Sequence, residues 1–145
     1  QDENDKQLSC RQDNVEVRMS IDINRLKTVL LDAIKNVQKT TYVHREIQID
    51  NKLPYIFVGV RRSGKSHLLY QRMFELVSDG HSWDEFLYIN FEDERLIGFK
   101  SSDFNSLLEA HYSLPQISPI LFLDEIQNID GWEKFAGYSG MLFNK

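Results

Sequence analysis

The chain has 145 residues, 41% apolar and 27% charged, with a net charge of -5. That length holds one domain with a real core rather than two, and the balance is that of an ordinary globular protein. The acidic balance argues against coating nucleic acid, which needs clustered positive charge to displace counterions, but it leaves room for a local basic patch.

Residues 1–14 are almost wholly polar and are expected to be disordered. They carry Cys10, the only cysteine, so no internal disulfide and no thiolate metal cluster can form. The start "QDENDKQLSC" has no apolar secretory core, and nowhere do 18 apolar residues run together. No membrane segment is expected, and cytoplasm is the default location. In "VEVRMSIDI", Val15, Val17, Met19, Ile21 and Ile23 alternate as in a strand, either an edge or partner-docking strand or an arm folded over the core. From Asn24 the period changes. Leu26, Leu30, Ala33, Ile34 and Val37 form one stripe, predicting an amphipathic helix over 24–38, so residues 15–53 read as an N-terminal arm and helix.

"PYIFVG" predicts a buried strand over 54–59, bounded by Pro54 and Gly59. Leu68, Leu69, Met73, Leu76 and Val77 then recur at helical spacing, and "SDG" at 78–80 supplies a stop. "EFLYINF" predicts a second strand over 86–91. "SSDFNSLLEAHY" predicts a helix capped by Ser101 or Ser102, with Phe104, Leu107 and Leu108 inward. "PILFLDEI" predicts a third strand over 119–124. This alternation implies an α/β fold, a parallel sheet flanked by helices, with its core over 54–136 and a tail over 137–145.

The chemistry concentrates in "GVRRSGKSHLL". The spacing Gly59-x-x-x-x-Gly64-Lys65-Ser66 is that of a phosphate-binding loop, set between a strand and a helix as that chemistry requires. Glycines permit backbone angles and a close approach that a Cβ would block. The loop's amide N–H groups wrap an anion, and the following helix N-terminus adds its partial positive charge. Lys65 would reach the β- and γ-phosphates, and the Ser66 hydroxyl would ligate Mg2+. Val60, Arg61, Arg62, Ser63 and His67 contribute mainly backbone; the two arginines read equally as phosphate contacts or as solvated charges.

A nucleotide-hydrolysing site also needs a metal-side carboxylate. "ILFLDEI" supplies Asp124 at the end of its strand, on the sheet edge of the phosphate loop, where it would hold Mg2+ directly or through water. Glu125 would orient and deprotonate an attacking water. The chain has no Asn-Lys-x-Asp guanine-reading motif, and small-molecule kinases usually lack the adjacent Glu, so ATP is the expected nucleotide. Asn90, Glu92 and Asp93 end the second strand on the same edge and are candidates to support the site.

In this order and spacing, "PYIFVGVRRSGKSHLLYQ", "FLYINFEDERL" and "ILFLDEIQNIDGWEKF" resemble the core of prokaryotic AAA-like P-loop ATPases of the AAA_14 type, which often carry a C-terminal DUF4143 region. The likeness runs from about Tyr42 to Phe135 and includes the connection "YVHREIQID". It implies Walker A over 59–66, with Lys65 and Ser66, and Walker B over 120–125, with Asp124 and Glu125. ATP and Mg2+ are the implied ligands, with a protein or nucleic-acid partner left open. Gln127 lies in the family's "DEIQ" block and is either a relay of nucleotide state or a helix-start polar residue. Trp132 and Phe135 read as packing residues rather than a base-stacking platform.

The sequence departs from the family after "DGWEKF", where Gly137 and Gly140 interrupt any long helix in "AGYSGMLFNK". The resemblance therefore implies an incomplete core lacking strands 4 and 5 of the 5-1-4-3-2 sheet, without sensor, arginine-finger or DUF4143 residues. Little turnover is expected of the chain alone, and the open edge beside "YIFVG" invites self-association. Three readings stand: an ATPase in the intact domain, a nucleotide-dependent switch or partner-binding module without significant turnover, and a fragment binding stray anions.

Overall fold

The computed structural model describes residues 20–49 and 62–135. In chain order its main elements include α1 (Ile23–Lys39), α2 (Lys65–Ser78), β1 (Phe86–Asn90), α3 (Phe104–Tyr112) and β2 (Ile120–Asp124). The expected strand over 54–59 lies outside the described residues, as do residues 1–14, expected to be disordered, and residues 15–19 of the expected arm. Its end lies within them and is not a strand: Ile23 already begins α1, because Asp22 caps the helix, its Oδ1 accepting the Asn24 N–H at 3.2 Å. α3 differs at its start. Ser101 and Ser102 belong to a short 3-10 turn, Ser101–Asp103, whose Asp103 carboxylate accepts the Lys100 N–H at 2.8 Å.

β1 and β2 pair in parallel, from Phe86 opposite Ile120 to Asn90 opposite Asp124. The 5-1-4-3-2 order implied by the resemblance makes the second and third strands neighbours, as found. Alternation along β1 divides the interior. Leu87 and Ile89 meet Leu26, Val29 and Leu30 of α1 and Phe104, Leu107 and Ala110 of α3, while Leu121 and Leu123 pack against the same cluster. Phe86, Tyr88 and Phe122 meet Met73 and Leu76 of α2 and Val37 of α1. α1 thus contributes to the cores on both sheet faces and runs past the edge of β1 that β2 leaves unpaired, the position where an exposed strand would otherwise template association. Trp132 and Phe135 pack on the α3 side, Phe135 stacked on Phe104 with centroids 4.0 Å apart.

Candidate functional site

The described part of the glycine loop has the backbone an anion cradle needs. Arg62 (φ 61°) and Gly64 (φ 82°) both take the left-handed conformation, and α2 starts directly after them. Leu68 N–H donates to Gly64 O at 3.3 Å and closes the first turn of the helix, the end at which backbone N–H groups face an anion in sites of this kind. No acidic residue sits in that first turn to oppose one. Gly59, Val60 and Arg61 lie outside the described residues.

β2 delivers its carboxylate to the same place. Ile120, Phe122 and Asp124 share the face toward α2, so the strand's last residue meets the helix's first turn. The Ser66 hydroxyl donates to the Asp124 carboxylate, and Tyr88 Oη donates to Asp124 Oδ2 at 3.2 Å. Asp124 is only 3% exposed. Burial pushes its pKa above the ordinary carboxyl value, while the Ser66 and Tyr88 hydrogen bonds pull the other way and the neighbouring Glu125 adds to the rise. Burial also raises the Tyr88 phenol, helped by the Tyr70 hydrogen bond and the Asp124 charge, so Tyr88 stays a proton donor.

Arg62, Ser63, Gly64, Lys65, Ser66, His67 and Glu125 line one cleft of about 290 Å3. Two segments almost sixty residues apart in sequence therefore share a concave surface. Glu125 holds a left-handed backbone (φ 54°), a conformation costly for a residue with a Cβ, and its carboxylate accepts a hydrogen bond from Gln127 Nε2. The other expected supporting residues are turned elsewhere. Asp93 pairs with Arg95 (2.8 Å), which reaches Asp32 on α1 (2.7 Å), and Asn90 Oδ1 accepts the Glu92 N–H at 2.8 Å. All three line a separate cavity of about 270 Å3 against α1.

Sequence reasoning passed over Tyr88, Tyr70, Gln71 and Arg45. Gln71, 3% exposed, accepts the Arg45 N–H at 2.8 Å and donates to Arg45 O at 2.8 Å, clamping the 40–49 connection to α2. Arg45 Nη2 in turn donates to Ser63 O at 3.4 Å. Only the "YVHREIQID" likeness hinted that this connection matters.

Among the described residues, no three His, Cys, Asp or Glu form a metal-holding group. Mg2+ that arrives with a nucleotide does not need one. It takes one or two protein oxygens and completes its octahedron with phosphate and water. A hydroxyl and a carboxylate already within hydrogen-bonding reach are hard oxygen donors of that kind, so the residues fit the ion.

A parallel strand pair whose second strand ends in a carboxylate against the first turn of a helix, behind a left-handed glycine turn, is consistent with the P-loop class. The chain belongs to the AAA domain family AAA_14, whose profile matches residues 51–139. It is 41% identical over 111 residues to an uncharacterized protein of Methanocaldococcus jannaschii, covering 74% of this chain and 24% of that protein. It is 33% identical over 110 residues to an uncharacterized protein of Haemophilus influenzae, covering 74% of this chain and 28% of that one. The chain thus spans about a quarter of the length of these relatives. No solved structure matches it significantly. Among the described residues, no helix is long and apolar enough to cross a membrane.

Proposed function

We propose that the chain binds ATP with Mg2+ through residues 59–67 and that the intact domain hydrolyses it, ATP and water giving ADP and phosphate. The single observation carrying this reading is the Ser66–Asp124 hydrogen bond, which joins the loop's helix to the strand-end carboxylate beside the cleft that Lys65, Ser66 and Glu125 line. Lys65 holds the terminal phosphates, Ser66 and Asp124 hold the ion, and Glu125 takes a proton from the attacking water. Mg2+, when bound, supplies neutralising charge on the phosphate oxygens. Calorimetry with and without Mg2+ tests the binding. Lys65→Ala removes a charge-assisted contact while leaving the backbone cradle, so ATP affinity should fall about tenfold or more. Equal affinity in variant and parent would overturn the assignment.

A nucleotide-dependent switch without significant turnover is the second reading, favoured by one detail. The Glu125 carboxylate, which lines the cleft, already accepts a hydrogen bond from Gln127, a donor that competes with the water it would have to activate. Phosphate release separates the two. If Glu125 is the base, Glu125→Gln keeps Mg-ATP binding and loses turnover; a parent that binds ATP tightly without releasing phosphate supports the switch.

A further inference from the structure

Two tyrosines behind the candidate metal position have no part in the reaction just described. Tyr88 lies on β1 and is 4% exposed; its hydroxyl meets Asp124 Oδ2 on one side and Tyr70 Oη on the other, both at 3.2 Å. A phenol has one proton to give. Spent on the carboxylate, that proton leaves Tyr88 to accept from Tyr70. The chain of donors therefore runs Tyr70 to Tyr88 to Asp124, from α2 across β1 to the end of β2. Tyr70 also sits edge-on to the Tyr88 ring at 5.6 Å, and its ring lies 5.5 Å from the His67 imidazole, on the first turn after the loop.

Phenylalanine would fill the Tyr88 site without a polar atom to satisfy, and a buried hydroxyl costs stability unless it is hydrogen-bonded. What the hydroxyl adds is orientation. An unsupported carboxylate turns about its own axis, whereas one with Oδ2 held by a buried phenol has a fixed plane and presents Oδ1 as the oxygen Tyr88 does not occupy. Partners of this kind orient a metal ligand without touching the metal.

We infer that Tyr88 is a positioning residue for the Asp124 carboxylate toward Mg2+, and that Tyr70 couples that carboxylate to the helix carrying the phosphate loop. The inference rests on the ATP and Mg2+ reading above. Its test is a Mg2+ titration of ATP binding by calorimetry, in wild type, Tyr88→Phe and Tyr70→Phe, with a parallel series in EDTA and Mn2+ binding followed by electron paramagnetic resonance. Tyr88→Phe should weaken apparent Mg2+ and Mn2+ affinity about tenfold or more while EDTA-treated ATP binding stays within about twofold. Tyr70→Phe should shift it the same way by less. In an Asp124→Ala background, Tyr88→Phe should add nothing, because it acts only through that carboxylate. Wild-type metal dependence in folded Tyr88→Phe, or an equal effect in both backgrounds, would overturn the inference and leave the nucleotide reading intact. Absence of any Mg2+ effect in wild type would overturn both. Should Tyr88→Phe not fold, Tyr70→Phe decides: a weakened metal affinity supports the coupling and an unchanged one refutes it.

Discussion

At Gly64 the chain makes a demand only glycine meets cheaply. Its φ is 82°, and a Cβ there would fall 2.6 Å from Arg45 Nη2. The arginine tip can swing aside; the backbone strain remains. Gly64→Ala should therefore destabilise the fold by about 1–2 kcal/mol, read from the urea midpoint, and adding Arg45→Met should not recover it. His111 on α3 makes a different demand. It is 3% exposed, its Nε2 has no hydrogen-bond partner among the described residues, and burial holds its pKa below the ordinary value despite the opposing pull of Asp84. Between that depressed value and the ordinary one near 6.5, the unfolded chain binds a proton that the folded chain refuses. More protons on the unfolded side means that stability rises with pH across this window. Its contribution is complete above about 6.5 and is lost as the pH falls from there through the depressed folded value. His111→Leu should flatten this part of the profile in urea melts at stepped pH, and a variant with wild-type slope would show that other groups set it.

Among the elements, the 40–49 connection depends most visibly on one side chain. It has no regular structure, yet Gln71 grips Arg45 at both its N–H and its C=O and also donates to Glu75 at 2.9 Å. Gln71→Met keeps the volume and removes all three bonds. It should free the connection locally, seen as faster hydrogen exchange at the Arg45 amide, with the β1 and β2 amides unchanged; uniform acceleration would mean that the clamp supports the whole fold. This grip was hidden in the sequence because a glutamine between apolar positions reads as a solvent-facing residue. The helices and both described strands were legible, since 3.6-residue and two-residue apolar periods are local signals. Met73 and Leu76 of α2 and Leu26, Leu30 and Val37 of α1 are buried as their spacing implies. The Ser66–Asp124 approach was foreseeable only from motif order. Tyr88 was not foreseeable, because its role appears once register puts Asn90 opposite Asp124 and brings the phenol one step behind the carboxylate. The path of α1 past the sheet edge is likewise a tertiary fact with no local code.

Across the whole molecule, the sheet separates two cores that share their strands and α1, so neither can dissolve alone without stripping the other of a wall. Each core carries one of the chain's two tryptophans. Trp83 packs among Phe74, Phe86 and their neighbours on the α2 side, and Trp132 packs on the α3 side. Fluorescence of Trp83→Phe and Trp132→Phe, each keeping one reporter, therefore watches one face at a time. Two-state cooperativity requires their urea curves, normalised to fraction unfolded and corrected for each variant's own stability, to share one slope. The site proposed here lies on the α2 side alone, which makes ligand addition a sharper test. Saturating Mg-ATP at about a hundred times its dissociation constant should add about 2.7 kcal/mol to any unit whose folding creates the site. In a cooperative molecule the Trp132 reporter, on the far face, should gain as much as the Trp83 reporter. A gain confined to Trp83 would mean that the α3 side unfolds independently of the nucleotide site, and that the shared strands do not bind the two faces into one unit.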